Sequence, residues 1–77
     1  MNPKEQRLIA VIAGALGVSP SSLHLETRAE DLTEWDSVAQ VNVISEVEAE
    51  FGVSIPIERI AELKAVRDFV PFLGQNG

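Results

Sequence analysis

A segment with helical periodicity, from Ser37 to Phe51, sets the strongest limit on how this chain can fold. Its apolar residues recur every three or four positions, which is the spacing of one helix face. They are Val38, Val41, Ile44, Val47 and Phe51, whereas Val43 lies off this line. Gly52 ends the pattern, and the carboxylate of Asp36 can accept a hydrogen bond from a free N–H group of the first turn. The sequence therefore predicts a helix over 37–51 that begins with an outward-pointing serine at its positive end.

A first helix is predicted from Pro3 to Leu16. Asn2 can cap it, proline suits its first position, and Gly17 closes it. Its apolar residues form a wide stripe that we expect to be core: Leu8, Ile9, Val11, Ile12, Ala15 and Leu16. Gly14 interrupts this helix, either as a mild weakness or as a point where another helix approaches closely.

Residues 18–35 show no long periodic pattern, so they form a long first connection. A structureless loop of this length is unusual in a compact domain. We expect it to be held by its own apolar residues, which are Val18, Leu23, Leu25 and Leu32.

Two further helices are predicted after Gly52. A brief third helix runs from Pro56 or Ile57 to Ala61 or Leu63, with Ile57 and Ile60 facing inward. The last helix begins near Ala65 or Val66 and ends or kinks near Val70, because Pro71 removes a hydrogen bond and crowds a carbonyl. The prediction is thus an all-α, four-helix bundle forming a single domain over 1–77, with an ordered core over 3–73 and a flexible tail over 74–77.

Composition limits the possible functions. The 77 residues include no cysteine, which excludes disulfides and thiolate metal sites, and no apolar run approaches the roughly 20 residues that cross a bilayer. The N-terminus lacks a signal-peptide pattern. Twelve acidic residues against six basic ones give a net charge of −6, which disfavours nucleic-acid binding and favours basic partner surfaces, although solubility explains it equally well. We expect a soluble, cytoplasmic monomer.

Catalysis by the chain itself is disfavoured. Ser37 as nucleophile would need His24 as its base, yet this histidine lies in a loop, and no glycine-rich elbow surrounds the serine. A partly solvated loop histidine is the ordinary interpretation. The carboxylate pairs Glu30-Asp31 and Glu48-Glu50 have no histidine companions, so no metal site is predicted.

Asp36-Ser37-Val38, followed by a helix ending in Glu-Phe-Gly-Val-Ser-Ile-Pro over 50–56, resembles the acyl carrier proteins over nearly the whole chain. The resemblance implies that Ser37 carries a 4′-phosphopantetheine arm derived from coenzyme A, attached by a phosphopantetheinyl transferase. Asp36 would cap the helix and help present the serine. Acyl-activating or acyl-transferring enzymes would be the other partners, and the chain would not be an enzyme.

The resemblance also makes the helix after the serine a partner-recognition surface. We assign to it Trp35, Val38, Ala39, Asn42 and Glu46, although Trp35 fits better as a hydrophobic staple on the helix it precedes. Ala39, Gln40 and Asn42 are neutral where carriers of fatty-acid synthesis generally have acidic residues, which favours a specialised pathway. The cargo stays open between fatty acyl, polyketide, aminoacyl and hydroxyacyl groups.

Two alternatives stay open at this point. The family shelters acyl chains beside its third helix, where the wall here would be Val41, Ile44, Ile57, Ile60 and Leu63, but these residues fit a filled core equally well. The chain could also be an acidic helical interaction module that keeps the carrier fold without being modified.

Overall fold

The computed structural model describes residues 2–74, and this part of the chain is helical. Two α-helices, α1 and α2, are followed by two 3₁₀ helices, named here the third and fourth helices; these elements are Pro3–Leu16, Ser37–Phe51, Ile57–Glu62 and Val66–Phe72. The first connection contains two single 3₁₀ turns, Pro20–Ser22 and Ala29–Asp31. The predicted all-α fold, with four helices, a long first connection and a short third helix, is confirmed. None of the helices within 2–74 has the length and apolar character needed to span a bilayer.

Both α-helices begin and end at the predicted residues. In α1, the Glu5 N–H donates to Asn2 Oδ1 at 2.8 Å, which satisfies one of the free donors of the first turn. Gly17 and Gly52 close the two helices in the left-handed conformation, with φ of 74° and 64°, which a side chain would strain. Local capping chemistry therefore fixes the length of α1 and α2.

The core lies between α1 and α2 and is closed by the fourth helix. Its most deeply buried side chains are Leu8, Ile12, Val43, Val47, Val66, Phe69 and Leu73. Gly14 lies on the exposed side of α1, and a Cβ placed there would meet nothing within 4 Å. Gly14 is therefore a mild weakness of α1, and within residues 2–74 no helix approaches closely there.

The first connection is held to the segment that leads into the fourth helix. The predicted anchors are confirmed, since all pack against the core: Val18, Leu23, Leu25 and Leu32. In addition, the Ala29 N–H donates to the Lys64 carbonyl at 2.8 Å, and the Val66 N–H donates to the Thr27 carbonyl at 3.0 Å. These bonds satisfy the backbone of an otherwise irregular segment.

The buried face of α2 is rotated from the predicted one. Val43, predicted to lie off the apolar line, is fully buried, whereas Val41 is 66% exposed. Ile44 and Val47 are buried as predicted, and Phe51 is half-buried. Because α2 carries apolar residues on more than one side, two stripes share Ile44 and Val47, and packing against α1 selects the one that contains Val43.

The third helix does not bury the residues predicted to face inward. Ile57 is 82% exposed and Ile60 is only half-buried, whereas Leu63, just after the helix, is buried. Residues three apart are eclipsed in a 3₁₀ helix, so Ile57, Ile60 and Leu63 form one row. Only the Leu63 end of that row is buried. The prediction for Ile57 is wrong because no described residue packs over the Ile57 end.

The fourth helix continues past the position predicted for its end. It runs to Phe72 with Pro71 inside it. The prediction assumed an α-helix, in which the proline would lose a bond to residue 67; in the observed 3₁₀ geometry the bond that Pro71 cannot make is the one to residue 68. The chain continues past it through the bond from the Leu73 N–H to the Val70 carbonyl at 3.2 Å. A run of this length is uncommon for a 3₁₀ helix, and burial of Val66 and Phe69 on one face stabilises it. Of the predicted tail, Gly74 accepts a hydrogen bond from Lys4 Nζ at 2.7 Å, and 75–77 lie outside the described residues.

Candidate functional site

Ser37 is the first residue of α2, and its side chain is exposed. The preceding Asp36 caps the helix, because its Oδ1 accepts a hydrogen bond from the Ala39 N–H at 2.8 Å. Within residues 2–74 the Ser37 hydroxyl makes no hydrogen bond. The site therefore holds a free hydroxyl at the start of a capped helix, open to a second molecule.

The helix dipole at Ser37 favours negative charge, whereas the carboxylate of the adjoining Asp36 opposes it. The N-terminus of α2 carries the positive end of the helix dipole, and its first turn contains no acidic side chain. A phosphate ester on Ser37 Oγ would lie beside the unpaired N–H groups of that turn.

An open groove of about 680 Å³ begins at Ser37 and runs between α2, the first connection and the third helix. Its lining is Arg28, Ala29, Glu30, Trp35, Asp36, Ser37, Gln40, Val41, Ile44, Ile60, Leu63 and Lys64. Four of the five residues predicted to line an acyl-chain cavity are present here, and Ile57 is absent from the lining. Most residues of the predicted cavity wall thus line an open groove beside the serine.

Gln40 connects two sides of this groove through its amide. Its Oε1 accepts a hydrogen bond from Trp35 Nε1 at 2.6 Å, and its Nε2 donates to the Leu63 carbonyl at 3.1 Å. The sequence interpretation missed this role and treated Gln40 only as a neutral surface residue. A signal was available, because Trp35 and Gln40 occupy the N′ and N4 positions, which commonly contact each other at a helix start.

Trp35 has a packing role in the structure. Its side chain is only 5% exposed, and its ring lies 6.4 Å from that of Phe69, centroid to centroid. It reaches the N4 residue through a hydrogen bond from the indole N–H to Gln40, and not through the apolar contact of a hydrophobic staple. Contact between Trp35 and partner proteins stays a prediction, and burial leaves little of this ring for a partner to touch.

The other residues assigned to partner recognition lie along one side of α2. Val38 is 74% exposed, Asn42 and Glu46 are exposed, and Ala39 is half-buried against the core. Val41 adds a second exposed apolar side chain one turn after Val38. The start of α2 thus presents apolar and neutral groups to solvent, and the role of each in binding stays a prediction.

Of the groups considered for catalysis or metal binding, Glu30 lines the groove that begins at Ser37, whereas His24 does not. His24 is exposed and does not line the groove; its backbone N–H donates to Thr27 Oγ1 at 2.9 Å. Within 2–74 no group of three or more possible ligands is close enough to hold a metal ion. Among the described residues, His24 therefore does not line the site where it could act as a general base for Ser37.

Arg59 and Glu62 of the third helix pair with each other away from the groove. Arg59 donates from Nε and Nη2 to Glu62 Oε1, each at 3.0 Å, and its guanidinium lies over the Phe72 ring. The hydrogen bond and the negative charge of Glu62 raise the pKa of Arg59 above its ordinary value. Arg59 therefore stays positive, with its charge balanced by Glu62.

Comparison with known proteins agrees with this geometry. Residues 6–73 match the family model described as "Phosphopantetheine attachment site". An acyl carrier protein of Rickettsia bellii is 37% identical over 73 residues, covering 94% of this chain and 84% of the relative. One from Thermosynechococcus vestitus is 40% identical over 79 residues, covering 99% and 96%. The meromycolate extension acyl carrier protein of Mycolicibacterium aurum is 31% identical over 77 residues, covering 95% and 79%.

These matches extend over almost the whole chain and most of each relative, and the matched region includes Ser37, α2 and the groove beside them. The free serine hydroxyl, the capped helix and the match to an attachment-site family thus agree at the same residues. From the sequence, the fold and these relatives together, the chain belongs to the acyl carrier protein family.

Proposed function

We propose that this chain carries acyl or related groups as thioesters on a 4′-phosphopantetheine arm attached to Ser37 Oγ, and presents them to successive enzymes. The observation that carries the proposal is the exposed, unbonded Ser37 hydroxyl at the first position of a capped helix. Attachment would form a phosphodiester between this oxygen and the phosphate that bears the pantetheine of coenzyme A. The pyrophosphate bond of coenzyme A would break with release of adenosine 3′,5′-bisphosphate, and the serine proton would pass to the transferase. When bound, the arm supplies the thiol that this cysteine-free chain lacks.

The residues around Ser37 have separate tasks in this proposal. Asp36 holds the first turn of α2 through its bond to the Ala39 N–H, which keeps the serine at a fixed position for the transferase. The dipole of α2 stabilises the phosphodiester charge. The chain performs no chemistry on the cargo; tethering raises the effective concentration of the cargo at whichever enzyme is docked.

The exposed side of α2 is the proposed contact surface for those enzymes. Val38 and Val41 offer apolar contacts, while Ala39 and Asn42 contribute no charge near the serine. A transferase, together with acyl-activating or acyl-transferring enzymes, would recognise this surface more by shape and apolar contact than by ion pairing. This composition supports a specialised pathway, and the cytoplasmic location stays a prediction.

Intact-mass measurement tests the attachment directly. We expect the protein to gain the mass of one phosphopantetheine after incubation with coenzyme A and a broadly specific transferase, and Ser37→Ala to gain none. Ser45→Ala is the matched control, because Ser45 is also an exposed serine of α2.

Two results would contradict the proposal. Modification that persists in Ser37→Ala would place the arm elsewhere. No mass gain with several such transferases, from a protein that is folded by circular dichroism, would favour the unmodified interaction module.

A further inference from the structure

The groove beside Ser37 has an inner wall and an outer rim that differ in burial. Its buried lining residues are Trp35, Ile44 and Leu63, whereas the polar residues at its edge, Arg28 and Lys64 among them, are exposed. Cargo attached at Ser37 could therefore lie along the groove and reach the inner wall. An acyl chain too long to fit in front of the inner wall would have to pass that wall to enter the core.

Gln40 connects two of the three inner-wall residues. Its amide accepts from the Trp35 indole at 2.6 Å and donates to the Leu63 carbonyl at 3.1 Å, so it bridges the start of α2 and the end of the third helix. Behind this bridge, Trp35 packs on Phe69, which is fully buried. Within the described residues no buried side-chain nitrogen or oxygen lacks a partner, so the bridge is complete.

Extending the groove into the core would break both bonds at once. Separating Trp35 from Leu63 would leave an indole N–H, an amide and a backbone carbonyl facing an alkyl chain, with no partner for any of them. Burying an unpaired polar group opposes such an opening far more than losing a solvated hydrogen bond does. Burying further methylene groups contributes a favourable free energy, which offsets part of that penalty.

We propose that Gln40 sets the depth of the groove and restricts the cargo that can lie within it to short acyl groups. The inference rests on the proposed attachment at Ser37. Short acyl groups are accommodated in front of the Trp35–Gln40–Leu63 bridge. Long alkyl chains attached at the same serine extend past the polar rim and stay in solvent until a partner enzyme receives them.

The test uses the full-length protein loaded at Ser37 with acetyl, octanoyl or dodecanoyl arms, from the corresponding acyl-coenzyme A and a broad transferase. Intact mass first verifies the loading. Two properties are then measured for each cargo: the rate at which hydroxylamine cleaves the thioester, and quenching by acrylamide of the fluorescence of Trp35, the single tryptophan of the chain. Wild type is compared with Gln40→Ala and with Gln6→Ala, the same change at an exposed residue of α1.

In wild type and Gln6→Ala we expect the three thioesters to be cleaved at rates within about twofold of one another. The groove in front of the bridge is open to solvent and protects a short acyl thioester little, and the longer chains gain no further shelter. In Gln40→Ala we expect the dodecanoyl thioester to be cleaved about tenfold more slowly than the acetyl one, since the chain can then pass the inner wall. Trp35 quenching should change with chain length in Gln40→Ala alone.

Trp35→Phe provides a second variant should Gln40→Ala lose its fold. It removes the indole donor while keeping an aromatic ring against Phe69, so it breaks one bond of the bridge and should give intermediate protection of the long chain. Protection of the dodecanoyl thioester in wild type would overturn the inference, as would folded variants that protect no chain. Failure to load Ser37 at all would instead overturn the proposed function, and the depth limit with it.

Discussion

The two ends of α2 are used differently by the rest of the molecule. Near its C-terminus, Glu48 Oε2 accepts a hydrogen bond from the Ile55 N–H at 2.7 Å, and Glu50 pairs with Arg7 at 2.8 Å. Val47, one position before Glu48, is fully buried. At the N-terminus, Ser37 and Val38 face solvent, and the helix is held there mainly by its own cap and by the bridge through Gln40.

The contrast shows that one helix combines anchoring with presentation. Its C-terminal half is fixed by burial and by bonds to α1 and to the segment before the third helix, so the position of the whole helix is set there. Its N-terminal half leaves Val38 and Val41 outside the core, where they add nothing to folding. The start of α2 is therefore free for contacts with other molecules while the far end keeps it in place.

The largest difference between the ends should appear in matched valine substitutions. Val47→Ala removes two methyl groups from a fully buried position and should lower the free energy of unfolding by about 2 kcal/mol. Val41→Ala, the same change in the exposed part of α2, should alter it by less than about 0.5 kcal/mol. Urea denaturation measures both, and equal losses would show that the two ends do not differ in packing.

The next effect concerns the bond from the C-terminal half of α2 to the following segment. Glu48→Ala leaves the N–H of the buried residue Ile55 without its acceptor and should cost about 1–2 kcal/mol in the free energy of unfolding. Glu46→Ala removes an exposed carboxylate from the same helix and serves as the control. If thermal unfolding changes equally in both variants, the bond to Ile55 does not anchor this end.

At the other end, stability should depend on the cap. Asp36→Ala should cost about 1 kcal/mol in unfolding free energy, because the Ala39 N–H loses its acceptor, whereas Asp36→Asn, which also caps well, should cost little. The two variants also separate capping from recognition. Slower modification of Asp36→Asn at an unchanged melting temperature would show that the transferase reads the charge.

The smallest effect is expected for the exposed pair at the C-terminal end. Arg7→Ala removes the ion pair with Glu50 and the contact of the guanidinium with the Phe51 ring, and should cost about 0.5–1 kcal/mol. In about 1 M salt the ion-pair part should be screened and the loss should shrink. Arg67→Ala, at an exposed arginine of the fourth helix, is the control. If Arg67→Ala lowers the free energy of unfolding as much as Arg7→Ala does, the Arg7–Glu50 pair does not help to anchor this end of α2.

Local sequence signals predicted the helix limits because the chemistry that sets them is local. Asn2 and Asp36 cap the residues three positions after them, and Gly17 and Gly52 supply the left-handed conformation that ends a helix. None of these depends on contacts far along the chain. For the same reason the exposed position of Ser37 followed directly from its place at the start of α2.

What the sequence did not predict depends on contacts between distant segments. Periodicity could not choose between Val41 and Val43 as core residues, because packing against α1 decides which face of α2 is buried. Whether Ile57 is buried or exposed depends likewise on tertiary packing. The bond from Gln40 to the Leu63 carbonyl spans 23 positions of the chain, and no local pattern names that partner.

The third helix is held at both flanks but only lightly along its length. Before it, the Ile55 N–H is bound to Glu48; after it, the Lys64 and Ala65 N–H groups both donate to Asp68 Oδ2 at 2.9 Å. Within the helix itself, Ile57–Glu62, Ile60 is half-buried and the other side chains are exposed. Such a helix can open locally while α1 and α2 keep their positions. The backbone amides of the third helix should therefore exchange with deuterium well before those of α1.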